Sequence, residues 1–162
     1  MARAREVRGL RCEEPFRTAA GKIIWTRFEE LISFREAVLE SKGDGDRAEA
    51  VHDMRVASRR VRAALELFED VFPRRQFTAM LRDVKTLADS LGSVRDLDVM
   101  IERLEKSRRS RIGAQRVVLD GIVADLRAEL AGARQDLATA IEDLEASDFP
   151  RRFAAFVAQS TT

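Results

Sequence analysis

Apolar residues recur along most of this chain at helical spacing, and no stretch alternates in the way a half-buried strand would. Ile23, Ile24, Phe28, Leu31, Ile32, Phe34, Val38 and Leu39 form one stripe, which predicts a helix over 16–41. Gly43-Asp44-Gly45-Asp46 interrupts the pattern, because paired glycines and aspartates favour turns. A second helix is predicted over 47–72, stopped by Pro73, and a third over 74–91 with Phe77, Met80, Leu81, Val84 and Leu87 inward. Gly92 stands where a helix C-cap is expected, so 93–107 reads as a separate short helix with Asp96 or Asp98 in its first turn. A long helix over 110–145 carries the near-heptad seam Leu119, Ile122, Leu126, Leu130, Ala133, Leu137, Ile141 and Leu144. A short C-terminal helix follows, with Phe149, Phe153, Phe156 and Val157. The pattern predicts an all-α fold, an antiparallel bundle of about four main helices.

Composition narrows the class. The chain has 162 residues, 45% hydrophobic and 35% charged, with no tyrosine and one cysteine. It is long enough for one domain, and Cys12 alone supports neither an internal disulfide nor a cysteine-based zinc site. No apolar run approaches a membrane span, so the expectation is a cytoplasmic protein. The domain reading is a flexible basic arm at 1–15 (Arg3, Arg5, Arg8, Arg11), a helical domain at 16–158 and a tail at 159–162.

Net charge is only +1, but it is segregated. Six basic residues lie between Arg103 and Arg116 against Glu105, and eight acidic ones between Asp120 and Asp148 against Arg127 and Arg134. Any anion must therefore bind locally.

The segment from His52 to Arg62 offers the place. At about 100° per residue, His52, Arg55, Arg59, Arg62 and Glu66 fall within roughly 80° of one another. Met54, Ala57, Val61, Ala64, Leu65, Leu67, Phe68 and Phe72 fill most of the remaining circumference. A helix so apolar is expected to be largely buried, with its basic stripe on a groove wall. Clustered arginines call for a negative partner, either an internal carboxylate or an external polyanion. Glu66 can answer Arg62 but not all three. Guanidinium groups suit phosphate because they donate paired hydrogen bonds and stay charged. A row of neighbours one helical turn apart, at about 5–6 Å, could follow the phosphates of a linear chain. His52 adds a donor whose charge depends on pH, though a lone histidine also serves structural roles. Arg60 lies opposite the stripe and reads as an ion-pair partner of Asp96 or Asp98. Arg75, Arg82 and Lys85 share a face of the third helix, and Arg95 beside a helix N-terminus suits an anion.

Two segments together resemble a known family. Val51-His52-Asp53-Met54-Arg55-Val56-Ala57-Ser58-Arg59-Arg60-Val61-Arg62 and Leu91-Gly92-Ser93-Val94-Arg95-Asp96-Leu97-Asp98-Val99 resemble the paired motifs of the CHAD domain, the conserved histidine α-helical domain. The resemblance implies an all-helical fold and non-catalytic binding of inorganic polyphosphate. Matched by position, the implied ligand residues are His52, Arg55, Arg59, Arg62 and Arg95, with Arg82, Lys85 and Arg134 aligned less closely. It covers the family's first half, since no second histidine motif follows Asp98. A homodimer would supply the missing half by a two-fold, with the seam of the long helix and the Phe149, Phe153, Phe156 tail as apolar surface. The resemblance also implies a CYTH-type phosphate-processing partner, and no cofactor. Two other readings stand beside it. A nucleic-acid-binding protein could use the same stripe, although aromatics for stacking are scarce. A hydrolase of phosphoanhydrides would need Asp96 and Asp98 to hold a metal.

Overall fold

The computed structural model describes residues 3–161; Met1, Ala2 and Thr162, parts of the predicted arm and tail, lie outside the described residues. The chain is all-α, and no strand occurs among the described residues. Four long helices dominate: α1 (Phe16–Ile32), α3 (Asp44–Leu67), α4 (Arg74–Arg108) and α5 (Ala114–Ala146). The short α2 (Arg35–Glu40) and α6 (Phe149–Ala158) complete the set, with 3-10 turns at Glu69–Val71 and Gln159–Thr161. α3 packs between α1 and α4, and α5 runs back along α4.

Several boundaries depart from the predicted ones, α3 ending at Leu67 and α5 starting at Ala114 among them. The first helix is broken at Ser33 and Phe34, where the Ser33 hydroxyl donates to Glu30 O (2.8 Å) and Phe34 N–H closes a tight turn on Leu31 O (3.3 Å). That turn lets α2 fold back on α3 and bury Val38. α3 starts at Asp44, three residues early, because Asp44 and Asp46 suit the free N–H groups of a first turn. Gly92 does not end a helix: α4 runs unbroken for 35 residues, about 50 Å. Leu91 and Val94 on either side of it are fully buried, and that packing outweighs the roughly 1 kcal/mol helix penalty of one glycine.

The core runs the length of the bundle through Ile24, Leu31, Met54, Leu65, Leu87, Leu91 and Leu137. The phenylalanines of α6 are part of it. Phe153 stacks on Phe28 with centroids 4.0 Å apart, and Phe156 on Phe72 at 4.3 Å. Phe149, Phe153 and Phe156 are each at most 2% exposed, so the aromatic tail expected to offer a dimer surface is closed inside its own chain.

Irregular chain leads into α1 and is tied to it. Arg27 Nη1 donates to Arg5 O (2.9 Å) and Lys22 Nζ to Gly9 O (2.6 Å). At the other terminus, a Cβ on Gly21 would stand 2.0 Å from Ser160 Oγ and 3.0 Å from Ser160 Cβ. Gly21→Ala is therefore expected to destabilise the protein by about 1–3 kcal/mol through overpacking. Urea denaturation checks this, and an unchanged midpoint would mean that the C-terminal turn does not sit on α1 as described.

Candidate polyanion-binding face

The buried side of α3, formed by Val51, Met54, Ala57, Ser58, Val61 and Leu65, fixes what its other side presents. His52, Arg55, Arg59, Arg62 and Glu66 lie together on the shoulder that turns toward α4. Arg59 is exposed, and His52, Arg55 and Arg62 are half-buried. The helix is less enclosed than its composition predicts, since Ala63 is exposed and Leu67 is 73% exposed. Arg59, Arg60 and Arg62 line a shallow concavity of about 410 Å³ with Val56, Ala63 and Glu66.

α4 contributes the other wall. Glu66 Oε1 lies 3.6 Å from Arg62 Nε and 3.9 Å from Lys85 Nζ, an ion-pair bridge between the two helices. Opposite Arg55, α4 carries Gly92, and Arg55 Nε is 4.0 Å from where a Cβ would be. The glycine misread as a helix end thus leaves open space beside an arginine of the stripe. Arg82, one turn from Lys85, is exposed; its one ion-pair neighbour among the described residues is Asp83 at 3.6 Å, itself bonded to Arg152 at 2.5 Å. Asp89 is exposed on α4, one turn from Lys85, and tempers the positive charge.

Two other predicted ligand positions have different surroundings. Arg95 sits in mid-helix, half-buried, so it has no helix N-terminus beside it. Arg134 is held by carboxylates, donating to Asp44 Oδ1 (2.7 Å) and Asp98 Oδ1 (3.4 Å). Burial pushes the Asp98 carboxyl above the usual carboxylate range against the opposing pull of Arg134 and Arg95. The hydrogen bond from Arg134 holds Asp44 below it. Neither aspartate of the second motif caps a helix, since both lie within α4. Among the described residues no group of three or more acidic, histidine or cysteine side chains is placed to hold a metal ion.

Arg60 pairs with a residue not foreseen from the sequence. Its guanidinium bonds Glu30 on α1, not Asp96 or Asp98. Glu30 is 1% exposed and also accepts from Arg27 Nη1 (2.9 Å) and Arg5 N–H (3.4 Å). A carboxylate inside the apolar stripe of the first helix, between Phe28 and Leu31, was the available signal.

Arg55 and Arg59, like Arg95 on α4, lie outside this pairing. Among the described residues neither has an ion-pair partner, although their neighbours Arg60 and Arg62 do. The two stand one turn apart on α3, Arg59 exposed and Arg55 half-buried. Over residues 22–162 the sequence matches the family model of the CHAD domain.

The chain belongs to the CHAD family.

The CHAD match takes in the α3 stripe, all of α4 and α5, and the buried α6. Polyphosphate is the ligand associated with CHAD domains. No curated protein matches this sequence. No helix among the described residues is long and apolar enough to cross a membrane.

Proposed function

We propose that this CHAD-family chain binds inorganic polyphosphate without catalysis, in the cytoplasm, along the α3 shoulder. The observation that carries the reading is the pair Arg55 and Arg59, unanswered by any carboxylate among the described residues. His52 and Arg62 extend the row at either end, and Lys85 and Arg82 supply charge from α4. Arg95 stands further along that helix, and Arg134 serves as a structural pair with Asp44 and Asp98. A ligand that is all phosphate suits the face better than a nucleic acid. Phe16 is the one exposed aromatic among the described residues, and its ring packs on Phe68, so no stacking platform accompanies the charge. The proposal includes two partners, a second copy of the chain and a CYTH-type phosphate-processing protein.

Long-chain polyphosphate titrated into the protein at several salt concentrations tests the ligand. The five cations Arg55, Arg59, Arg62, Lys85 and Arg82 predict a log–log salt dependence of affinity with slope about −3.5, by analogy with single-stranded nucleic acids. Single-stranded RNA at equal phosphate concentration is expected to compete poorly. RNA that displaced polyphosphate under those conditions would move the assignment to nucleic acid. Phosphate release from polyphosphate with magnesium or manganese would overturn the non-catalytic part.

A further inference from the structure

The α4–α5 hairpin carries a surface that the polyphosphate face does not use. Both helices are about 50 Å long, against about 36 Å for α3, from residue counts of 35, 33 and 24. Along the distal part of the hairpin, buried positions thin out to Ile101 and Val123. Four large apolar side chains are left exposed here, Ile112 (86%), Val117 (70%), Val118 (61%) and Ile122 (43%), with Met100 (48%) nearer the bundle. Contiguous exposed apolar surface of this kind marks an interaction site.

The same face is divided by charge. Nearer the bundle, Asp96, Glu129 and Asp136 rim a groove of about 620 Å³ floored by Leu97, Met100 and Ala133. On α5, Val118, Ile122, Glu129 and Asp136 fall within about 40° of one another, so the apolar tip and the acidic groove lie on one continuous face. At the tip the charge is reversed. Arg103, Arg109 and Arg111 are exposed there. Among the described residues, neither these three nor the three acids of the groove have an ion-pair partner. Groove and tip are separated along α4 by about 20 Å, from Asp96 to Arg109.

We propose that this face docks a second copy of this chain, hairpin against hairpin and antiparallel. The basic, apolar tip of each copy then sits over the acidic groove of the other. A two-fold axis crossing the hairpin between tip and groove makes both contacts at once, which closes the assembly as a dimer. Each copy covers the other's exposed apolar side chains, and each unpaired cluster meets its opposite charge. An anionic membrane could take the tip, but Glu129 and Asp136 on the same face of α5 would then be turned toward like charge. The inference rests on the second copy of the proposal above and not on its ligand.

Charge exchange tests it, with mass measured by analytical ultracentrifugation in the absence of polyphosphate. Wild type is expected at twice the 18.3 kDa chain mass. Glu129→Arg with Asp136→Arg makes groove and tip both basic, and Arg109→Glu with Arg111→Glu makes both acidic. Each double variant alone is expected to raise the dissociation constant at least about tenfold, since like charges oppose across the interface. An equimolar mixture of the two is expected to recover a heterodimer, seen as a distinct mass by native mass spectrometry. All four positions are exposed, so circular dichroism should report intact helices in each variant. A monomeric wild type, double variants that dimerise as wild type does, or a mixture that forms no heterodimer would each overturn the proposal. Retention of a monomer on phosphatidylserine vesicles would overturn it in favour of a membrane. A dimer that fails to bind polyphosphate would instead remove the ligand reading alone.

Discussion

The double variant Arg55→Glu/Arg59→Glu is expected to lose polyphosphate binding by at least about 100-fold while keeping its fold. Each arginine can place a forked donor on a phosphate, and a hydrogen bond to a charged group contributes about 1.5–3 kcal/mol. Removing two therefore costs about 3 kcal/mol or more, two factors of ten, and the introduced carboxylates repel the ligand as well. The fold should survive because neither side chain has an ion-pair partner among the described residues to lose. Surface changes of that kind usually alter stability by no more than about 0.5 kcal/mol. Isothermal titration with long-chain polyphosphate, alongside urea denaturation, separates the two effects. The salt dependence of whatever binding remains should also flatten, because fewer counterions are released. Wild-type affinity in the double variant would sink the α3 shoulder as the site.

Glu30→Ala is expected to destabilise the protein by about 3–5 kcal/mol, the range for breaking a buried ion pair from one side. Glu30 joins Arg27 of its own helix, Arg60 of α3 and the backbone of Arg5. Its loss removes the buried carboxylate that Arg27 and Arg60 share, and one of the bonds that tie the incoming chain to α1. Glu30→Gln keeps the volume and one acceptor, so it should fall between the wild type and alanine. Urea midpoints give the order, and hydrogen exchange at the α1–α3 contact gives the location. Stability unchanged in Glu30→Ala would show that Arg60 finds another partner and that α1 and α3 are held by packing alone. Binding measured on the glutamine variant distinguishes a positional role from a ligand role. Arg60 also lines the concavity with Arg59 and Arg62, so unchanged affinity in the folded variant would give it a positional role and increased affinity a ligand role.

Much of this arrangement could be read along the chain, for identifiable reasons. The stripe from His52 to Arg62 depends only on helical periodicity and on the apolar residues around it, both local properties. The number of long helices is local in the same sense, as is the opening of the short C-terminal helix, where Pro150 occupies the first turn of α6. What failed locally also has a reason. Gly92 and Ser33 carry opposite messages from those the fold enforces. Glycine in α4 is overruled by Leu91 and Val94 packing on either side, whereas the apolar stripe through Phe34 is cut by a serine that captures a backbone carbonyl. Helix propensity at one residue amounts to about 1 kcal/mol, so a few buried side chains decide the outcome. The aromatic tail was misassigned for a related cause: amphipathicity marks a face to be covered and does not say by what. Phe28 and Phe72, over 70 residues earlier in the chain, cover it.

The sequence by itself determined the helical class, the basic stripe and the CHAD resemblance, because periodicity, residue chemistry and motif spacing are written within short windows. Only the tertiary structure decided which arginines are answered. Arg60 finds Glu30 at a separation of 30 residues and Arg134 finds Asp44 at 90, while Arg55 and Arg59 find no ion-pair partner among the described residues. Charge pairing depends on distances of a few ångströms between elements far apart in the chain, and no local pattern encodes it.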